Sequence, residues 1–285
     1  MRPEPAAPVA ETPAPEAPVV AATPAPDRLP LHQRVWFQRT LTWGLLLVAW
    51  EVFAWQAGPF FFPSLGDVAG GFRTILGDGS LSLVAESFTQ MLVGFGIAVL
   101  IGVPVGLLMG TFRPVEFLLG PYVNALFVTS LAAVLPFIIL VFGTGFEFRV
   151  AVVALFAIFY VTINPANGVR SIDPAVLEMA RSFNIGPVKR FVSITLPGTL
   201  PFIIAGLRLG LGQAVQGMII AELWVTIGTG RKLTTLGLDR NLGEFFALAA
   251  VIVLVGTALT QSLMIAQRRL TPWSGDVAAS VKGAN

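Results

Sequence analysis

Six stretches of this chain are apolar over lengths suited to a bilayer: about 41–57, 88–110, 118–142, 149–166, 200–226 and 246–266. A helix needs about 20 such residues to cross a hydrocarbon core of about 30 Å. Within lipid, backbone polar groups must be satisfied inside the segment, which a helix achieves. The expected fold class is therefore an all-α membrane protein of about six transmembrane helices. The first run is the shortest and carries Glu51, which reads as an interfacial residue. Trp36, Trp43 and Trp50 recur every seven residues and share one helix face, a pattern suited to interface anchoring or packing.

Composition narrows the function. The chain is 55% apolar and 12% charged, with a mean hydropathy of +0.78. It contains no cysteine, which excludes disulfides, thiolate metal sites and cysteine nucleophiles. The single histidine, His32, stands in a polar approach segment and reads as a solvated side chain. A net charge of +2 is too small to suggest nucleic acid as a partner. Residues 1–30 are dominated by Pro, Ala, Val, Thr and Glu, a composition that cannot bury a core. They lack the basic start and continuous apolar stretch of a signal peptide. The expected organisation is a disordered Pro/Ala-rich tail over 1–35, a transmembrane domain over 36–272 and a second tail over 273–285.

The most polar internal segment is residues 173–201, DPAVLEMARSFNIGPVKRFVSITLPGTLP. Its Asp and Glu, with Arg181, Lys189 and Arg190, keep it out of lipid. Asp173 is placed to cap a helix and Pro174 suits the first helical position, where its missing N–H costs nothing. Val176, Met179, Ala180 and Phe183 fall on one face of a 3.6-residue period. Asn184 tolerates the left-handed backbone that ends a helix. Gly186-Pro187 then allows a turn and a second helical start, and Pro197 and Pro201 close the segment. This helix-turn-helix between two spans reads as a docking element for a soluble partner.

Here the chain resembles the membrane subunits of bacterial ABC importers, whose EAA loop follows the pattern E-A-A, three residues, G, nine residues, I, one residue, L-P. This sequence has Glu178-Met179-Ala180, Asn184, Ile194, Leu196 and Pro197 with every spacing kept. Met179 replaces the second letter and Asn184 the glycine; Asn is the non-glycine residue best able to reach positive φ. The resemblance covers roughly 60–270 and is closest to the nitrate/sulfonate/taurine branch. Phe62-Pro63-Ser64, Gly168 to Pro174 (GVRSIDP), Gly206-Leu207-Arg208 and Ala221-Glu222 carry that likeness. It implies a type I importer bundle with a cytoplasmic coupling helix, in which two permease copies form the pathway. It also implies two cytoplasmic ATPases that use ATP, an external solute-binding protein, and a place in the bacterial inner membrane. The coupling residues it assigns are Glu178, Met179, Ala180, Arg181, Phe183, Asn184, Gly186, Ile194, Leu196 and Pro197. Their side chains either dock on the ATPase or hold the loop's own fold.

Charge sets the expected orientation. With both termini cytoplasmic, that side holds Arg2, Arg28, Arg34, Arg39, Arg113, Arg170, Arg181, Lys189, Arg190, Arg268, Arg269 and Lys282. The other side holds only Arg73, Arg149, Arg231, Lys232 and Arg240, so basic residues favour this topology. Gly94, Ala98, Gly102, Gly106 and Gly110 line one face of the second span, and Gly206, Gly210 and Ala214 one face of the fifth. Such faces allow close backbone approach, as static packing, as a moving interface or as a dimer contact. Pro104, Pro121 and Pro136 are expected to kink or divide spans two and three. Arg208 lies about 10 Å into the fifth span, and Glu222 about 21 Å further on, so the two do not pair. Arg208 reads either as a snorkelling side chain or as a pathway residue that meets an anion, and Glu222 as part of an external mouth.

Several classes are excluded by missing motifs. No G-x-x-x-x-G-K-[ST] loop is present; Gly228-Thr229-Gly230-Arg231-Lys232 is an echo with the wrong spacing. No G-x-S-x-G or H-E-x-x-H motif appears either, so no catalytic residue or metal site is expected, and no cofactor bound directly by this chain. The function expected is that of a permease for a small anionic solute such as a sulfonate, taurine or nitrate. The competing readings are a self-sufficient secondary transporter or channel, which calls for internal repeats and midplane charge, and a membrane scaffold or enzyme subunit whose polar loop recruits a protein without moving solute.

Overall fold

The structure, a computed structural model, describes residues 35–270, and side chains within 38–265. The expected tails over 1–35, except Val35, and over 273–285, with His32 and the Trp36 side chain, lie outside the described residues. So do Arg2, Arg28, Arg34, Lys282 and the side chains of Arg268 and Arg269. Residues to Ala49 group as one unit and those from Trp50 as another. The first is described as the opening turns of helix α1 (Val35–Ala57), where the Thr42 hydroxyl donates to the Gln38 carbonyl.

The second unit continues α1 and adds α2 (Leu65–Gly77), α3 (Ser80–Thr111) and α4 (Arg113–Val128). A 3-10 turn at Leu131–Val134 leads into α5 (Leu135–Phe142), followed by α6 (Phe146–Arg170), α7 (Pro174–Ser182) and α8 (Pro187–Arg190). A π-helical turn at Phe191–Thr195 joins α8 to α9 (Leu196–Val225), and α10 (Gly228–Leu238) and α11 (Leu242–Leu270) complete the order. Every described element is helical, as expected. Four helical runs are long and apolar enough to cross a membrane: α3, α6, the continuous Pro187–Val225 and α11. A fifth arises if α4 and Leu131–Phe142 count together across their 98° bend. The expected span at 41–57 is helical but is not among those apolar enough.

Close packing of small residues fixes the relative directions. On α3, a Cβ at Gly94 would lie 2.7 Å from the Val150 carbonyl, and one at Gly110 would lie 2.6 Å from Val169. Between them Gly106 backs onto the Thr162 backbone. Helices α3 and α6 therefore run parallel, with the glycine face predicted for α3 as their seam. A Cβ at Gly206 of α9 would lie 3.0 Å from the Tyr160 carbonyl, and one at Gly210 2.6 Å from Val161, while Gly217 faces Phe156. Thus α9 is antiparallel to α6. In lipid, such van der Waals packing is what holds helices together.

Parallel α3 and α6 also settle the bent pair. A re-entrant loop would return to the side it left and make α6 antiparallel to α3. Instead, α4 begins beside the end of α6, where Arg170 pairs with Glu116 at 2.7 Å. Helix α5 packs its Leu135 and Ile138 with Phe148, near the other end of α6. The segment is therefore a broken crossing. The break falls at Thr129–Ser130, not at Pro121, which stays inside α4; Pro104 likewise stays inside an unbroken α3. Pro136 occupies the first turn of α5, where a missing N–H costs least.

A second expectation is corrected at Pro197 and Pro201. They do not close the polar segment, because the helix runs through them from Pro187 to Val225. The wide π turn absorbs the fault: the Leu196 N–H donates to Phe191, and Pro197 falls in the first turn of α9.

Two helices escaped the hydropathy reading, α2 and α10, and both lie at the Arg149 end of α6. Ser64 caps α2 in a capping box with Asp67. Glu51 accepts from the Leu65 N–H at 3.0 Å, and the Trp50 indole donates to the Pro63 carbonyl at 3.1 Å. Gly71 of α2 meets the Gly243 carbonyl of α11 so closely that an added Cβ would stand 2.5 Å away. Between α2 and α3, Asp78 accepts from the Ser80 N–H at 2.9 Å and from Lys232 of α10 at 3.0 Å. The Ser80 hydroxyl and N–H, with a smaller contribution from Lys232, lower its pKa from 3.8 to about 2. This contribution to stability is complete above the ordinary carboxylate range and is lost as pH falls from about 4 towards 2. Amide exchange at Ser80 is expected to accelerate over that window, and Asp78→Asn to remove the dependence.

Candidate functional site

The polar segment predicted from sequence emerges from the Arg170 end of α6 as a capped, protruding helix. Asp173 accepts from the Ala175 N–H at 2.8 Å, and Pro174 begins α7. The Phe183 N–H closes on Met179, and Asn184 then adopts φ 54°, the left-handed value expected of it. The Ile185 N–H donates to the Ala180 carbonyl at 3.0 Å, turning the chain towards Gly186 and α8.

Amphipathicity here is split in an unusual way. Ala180 is buried and Leu177 half-buried, holding α7 to the molecule. Val176, Met179 and Phe183, at i, i+3 and i+7, form a second apolar stripe that remains uncovered; Met179 is 54% and Phe183 74% exposed. Glu178 and Arg181 are exposed beside it. Ile194, Leu196 and Pro197 are half-buried in the wall of the long helix, and Gly186 is exposed at the turn. A cavity of about 380 Å³ separates Pro187, Val188, Arg190 and Phe191 from Leu108 and Phe112 at the end of α3. The segment thus follows directly from the end of α6 and is continuous with α9, with the end of α3 across the cavity. A force on α7 has a short mechanical path into the two spans that flank it in the chain, α6 and α9.

At the opposite end, Glu222 is 1% exposed and turned into the bundle. Its carboxylate accepts from Ser87 of α3 at 2.5 Å and from the Gly230 N–H of α10 at 3.1 Å, with Arg149 of α6 at 3.8 Å. Thr229 completes the cluster through the Ser87 hydroxyl at 2.7 Å. Ile227, the residue before α10, offers no side-chain cap, so the Glu222 carboxyl serves as the acceptor for a free N–H at the helix start. The Gly228-Thr229-Gly230 echo therefore holds a carboxyl group after all, one from its own chain. Gly228 takes φ +56°, and a Cβ on Gly230 would strike the Glu222 backbone, so both glycines are dictated by this turn. Sequence placed Glu222 near an end of the span but had no signal for its partners. Nearby, a polar cleft of about 420 Å³ opens between α2 and the α10–α11 turn, lined by Asp67, Arg240 and Glu244 among others.

Arg208 is exposed on α9 and pairs with no carboxylate among the described residues. It lies between Gly206 and Gly210, which pack against Tyr160 and Ala157. Tyr160 is 11 residues from Arg149 and 10 from Arg170, or about 17 and 15 Å along α6. Arg208 therefore stands midway between the two charged ends of the bundle. Structure does not bring it to Glu222, in keeping with their spacing in sequence.

Among the described residues, no group of His, Cys, Asp and Glu is placed to hold a metal ion.

Known proteins resemble this chain in sequence. The family described as binding-protein-dependent transport system inner membrane component matches residues 102–274. The chain is 31% identical over 258 residues to the taurine transport system permease protein TauC of Escherichia coli, covering 88% of this chain and 94% of that protein. It is 28% identical to the putative aliphatic sulfonates transport permease protein SsuC of Bacillus subtilis, covering 81% and 87% respectively. A shorter match, 31% identical over 48% of this chain and 49% of the relative, is to the bicarbonate transport system permease protein CmpB of Synechococcus elongatus. The chain belongs to the binding-protein-dependent transport system inner membrane components, the permease subunits of ABC importers.

Proposed function

We propose that this permease carries a small oxyanion, of the sulfonate or taurine kind, into the cell, and that α7 is where ATP hydrolysis is felt. The observation that carries the coupling role is the uncovered stripe of Val176, Met179 and Phe183 on a rigidly capped helix. An apolar stripe flanked by Glu178 and Arg181, beyond the end of a span, suits a groove on a soluble protein. Its partner is a cytoplasmic ATPase subunit, and ATP is bound there and not on this chain. Basic residues at the Arg170 end support the cytoplasmic assignment; the five crossings from α3 put the C-terminus on that side, and α1 as a sixth crossing puts the N-terminus there too. A solute-binding protein delivers substrate at the Glu222 end, and two copies of the chain in the lipid bilayer enclose the pathway. ATP-driven closure of the ATPase pair favours one arrangement of the two α7 helices, and the bundle follows. Relatives for taurine and aliphatic sulfonates support the substrate class.

The absence of native cysteine makes the test direct. A single cysteine at Ser182, exposed on α7, is expected to resist outside reagent in right-side-out vesicles. It should crosslink to the co-expressed ATPase with a yield that changes on ATP. A cysteine at Ser82, exposed at the other end, should label from outside. Outside labelling at position 182, or no ATPase crosslink, would sink the proposal and bring an ATPase-independent transporter forward.

A further inference from the structure

Helix α9 has two unlike faces. One carries Gly206, Gly210, Ala214 and Gly217, all buried in the bundle. The other presents Arg208, Gly212 and Gln216, spaced i, i+4 and i+8 and all exposed. A Cβ added to Gly212 meets no atom within 4 Å. Neither Arg208 nor Gln216 has a hydrogen bond or ion pair among the described residues.

Such a face does not belong in lipid. A guanidinium at mid-span is costly against hydrocarbon, and in membrane helices such groups turn to protein or to water. From the register with α6, Arg208 is about 15 and 17 Å from the two charged ends, far for a side chain to reach an interface. Dry contact with another helix is a poor fit too, because it would bury Arg208 with no carboxylate on its own helix face to neutralise it.

We infer that the Arg208–Gly212–Gln216 face lines a water-filled passage and forms a binding track for a small oxyanion, with Arg208 and Gln216 as successive stations. Arg208 gives the attraction, through a planar set of donors matched to sulfonate or carboxylate oxygens. Gln216, about 12 Å further along α9, gives a neutral N–H donor where a second cation would hold the anion too firmly. Gly212 leaves the space between them open. The track needs a second wall, which the facing copy of the chain supplies. The substrate class therefore rests on the reading above, whereas the wetness of the face does not.

The test uses the full-length permease in proteoliposomes, with single cysteines at positions 212, 216 and 100. Leu100 of α3 is 76% exposed and apolar, and serves as a lipid-facing control. The probes are two methanethiosulfonates of similar size, one with a sulfonate and one with a trimethylammonium group. Cysteines at 212 and 216 are expected to react at least about tenfold faster than the one at 100. The sulfonate reagent should be favoured by about tenfold at 216, and Arg208→Gln should abolish that preference while leaving the overall accessibility, in line with charge focusing in a cleft. Reactivity at 212 and 216 no greater than at 100 would overturn the passage. Charge preference unaffected by Arg208→Gln would overturn the oxyanion track. Since no ATPase is needed, failure of α7 to crosslink would leave both results readable.

Discussion

Phe183→Asp is expected to cut ATP-driven uptake by about thirtyfold while leaving the permease folded in the membrane. The ring is 74% exposed on the chain itself, so little intramolecular packing is lost. What disappears is an aromatic anchor, and central aromatic anchors in protein interfaces contribute about 2 kcal/mol or more. The new carboxylate must also enter whatever groove the ring filled, which adds a desolvation cost. Met179→Asp, on the same stripe and 54% exposed, should act in the same direction. Ala180→Asp is a different experiment: Ala180 is 3% exposed and holds α7 to the molecule, so this change should dislodge the helix itself. Uptake of labelled taurine, with permease abundance measured by immunoblot and its monodispersity in detergent, separates these cases. Normal uptake by Phe183→Asp would mean that the exposed stripe is not a contact.

How far the chain could be read before folding depended on the range of the interactions. Helix α7 was legible to the residue because its signals are local: the Asp173 cap, Pro174 in the first turn, and left-handed Asn184 two residues after Ser182. The small faces of α3 and α9 were legible because period and residue size imply close packing, whatever the partner. The effect of proline was not. Pro104 and Pro201 stay within continuous helix, and the break comes at Thr129–Ser130, which carries no proline. A missing N–H removes one hydrogen bond, and neighbouring helices and a π turn can absorb that loss. Helices α2 and α10 went unseen because neither is long enough to span, although Ser64 and Asp67 spell a capping box in the sequence. Gln216 was overlooked for another reason. A neutral amide in a span raises no alarm until the structure shows that it shares an open face with Arg208. Glu222 was flagged as costly, but what neutralises it comes from three other helices.

That neutralisation sets the last expectation. Glu222→Ala should destabilise the permease by about 3 kcal/mol, in the range for breaking a buried charge pair from one side. Removing the carboxylate leaves the Gly230 N–H without its acceptor at the start of α10. It leaves Ser87 without its partner on α9, and Arg149 with only Glu86, 4.0 Å away and largely exposed. Glu222→Gln keeps an oxygen for Gly230 and roughly the same volume, so it should recover much of the loss, with the remainder measuring the charge. Gly230→Ala should fail for an unrelated reason, since its Cβ has no room against the Glu222 backbone. Thermal unfolding of the purified permease in a fixed detergent ranks the three variants. The order expected is Glu222→Gln above both Glu222→Ala and Gly230→Ala. If Glu222→Ala instead unfolds like the parent but loses transport, the carboxylate acts on the solute or on a moving gate, and the link among α3, α6, α9 and α10 does not depend on it.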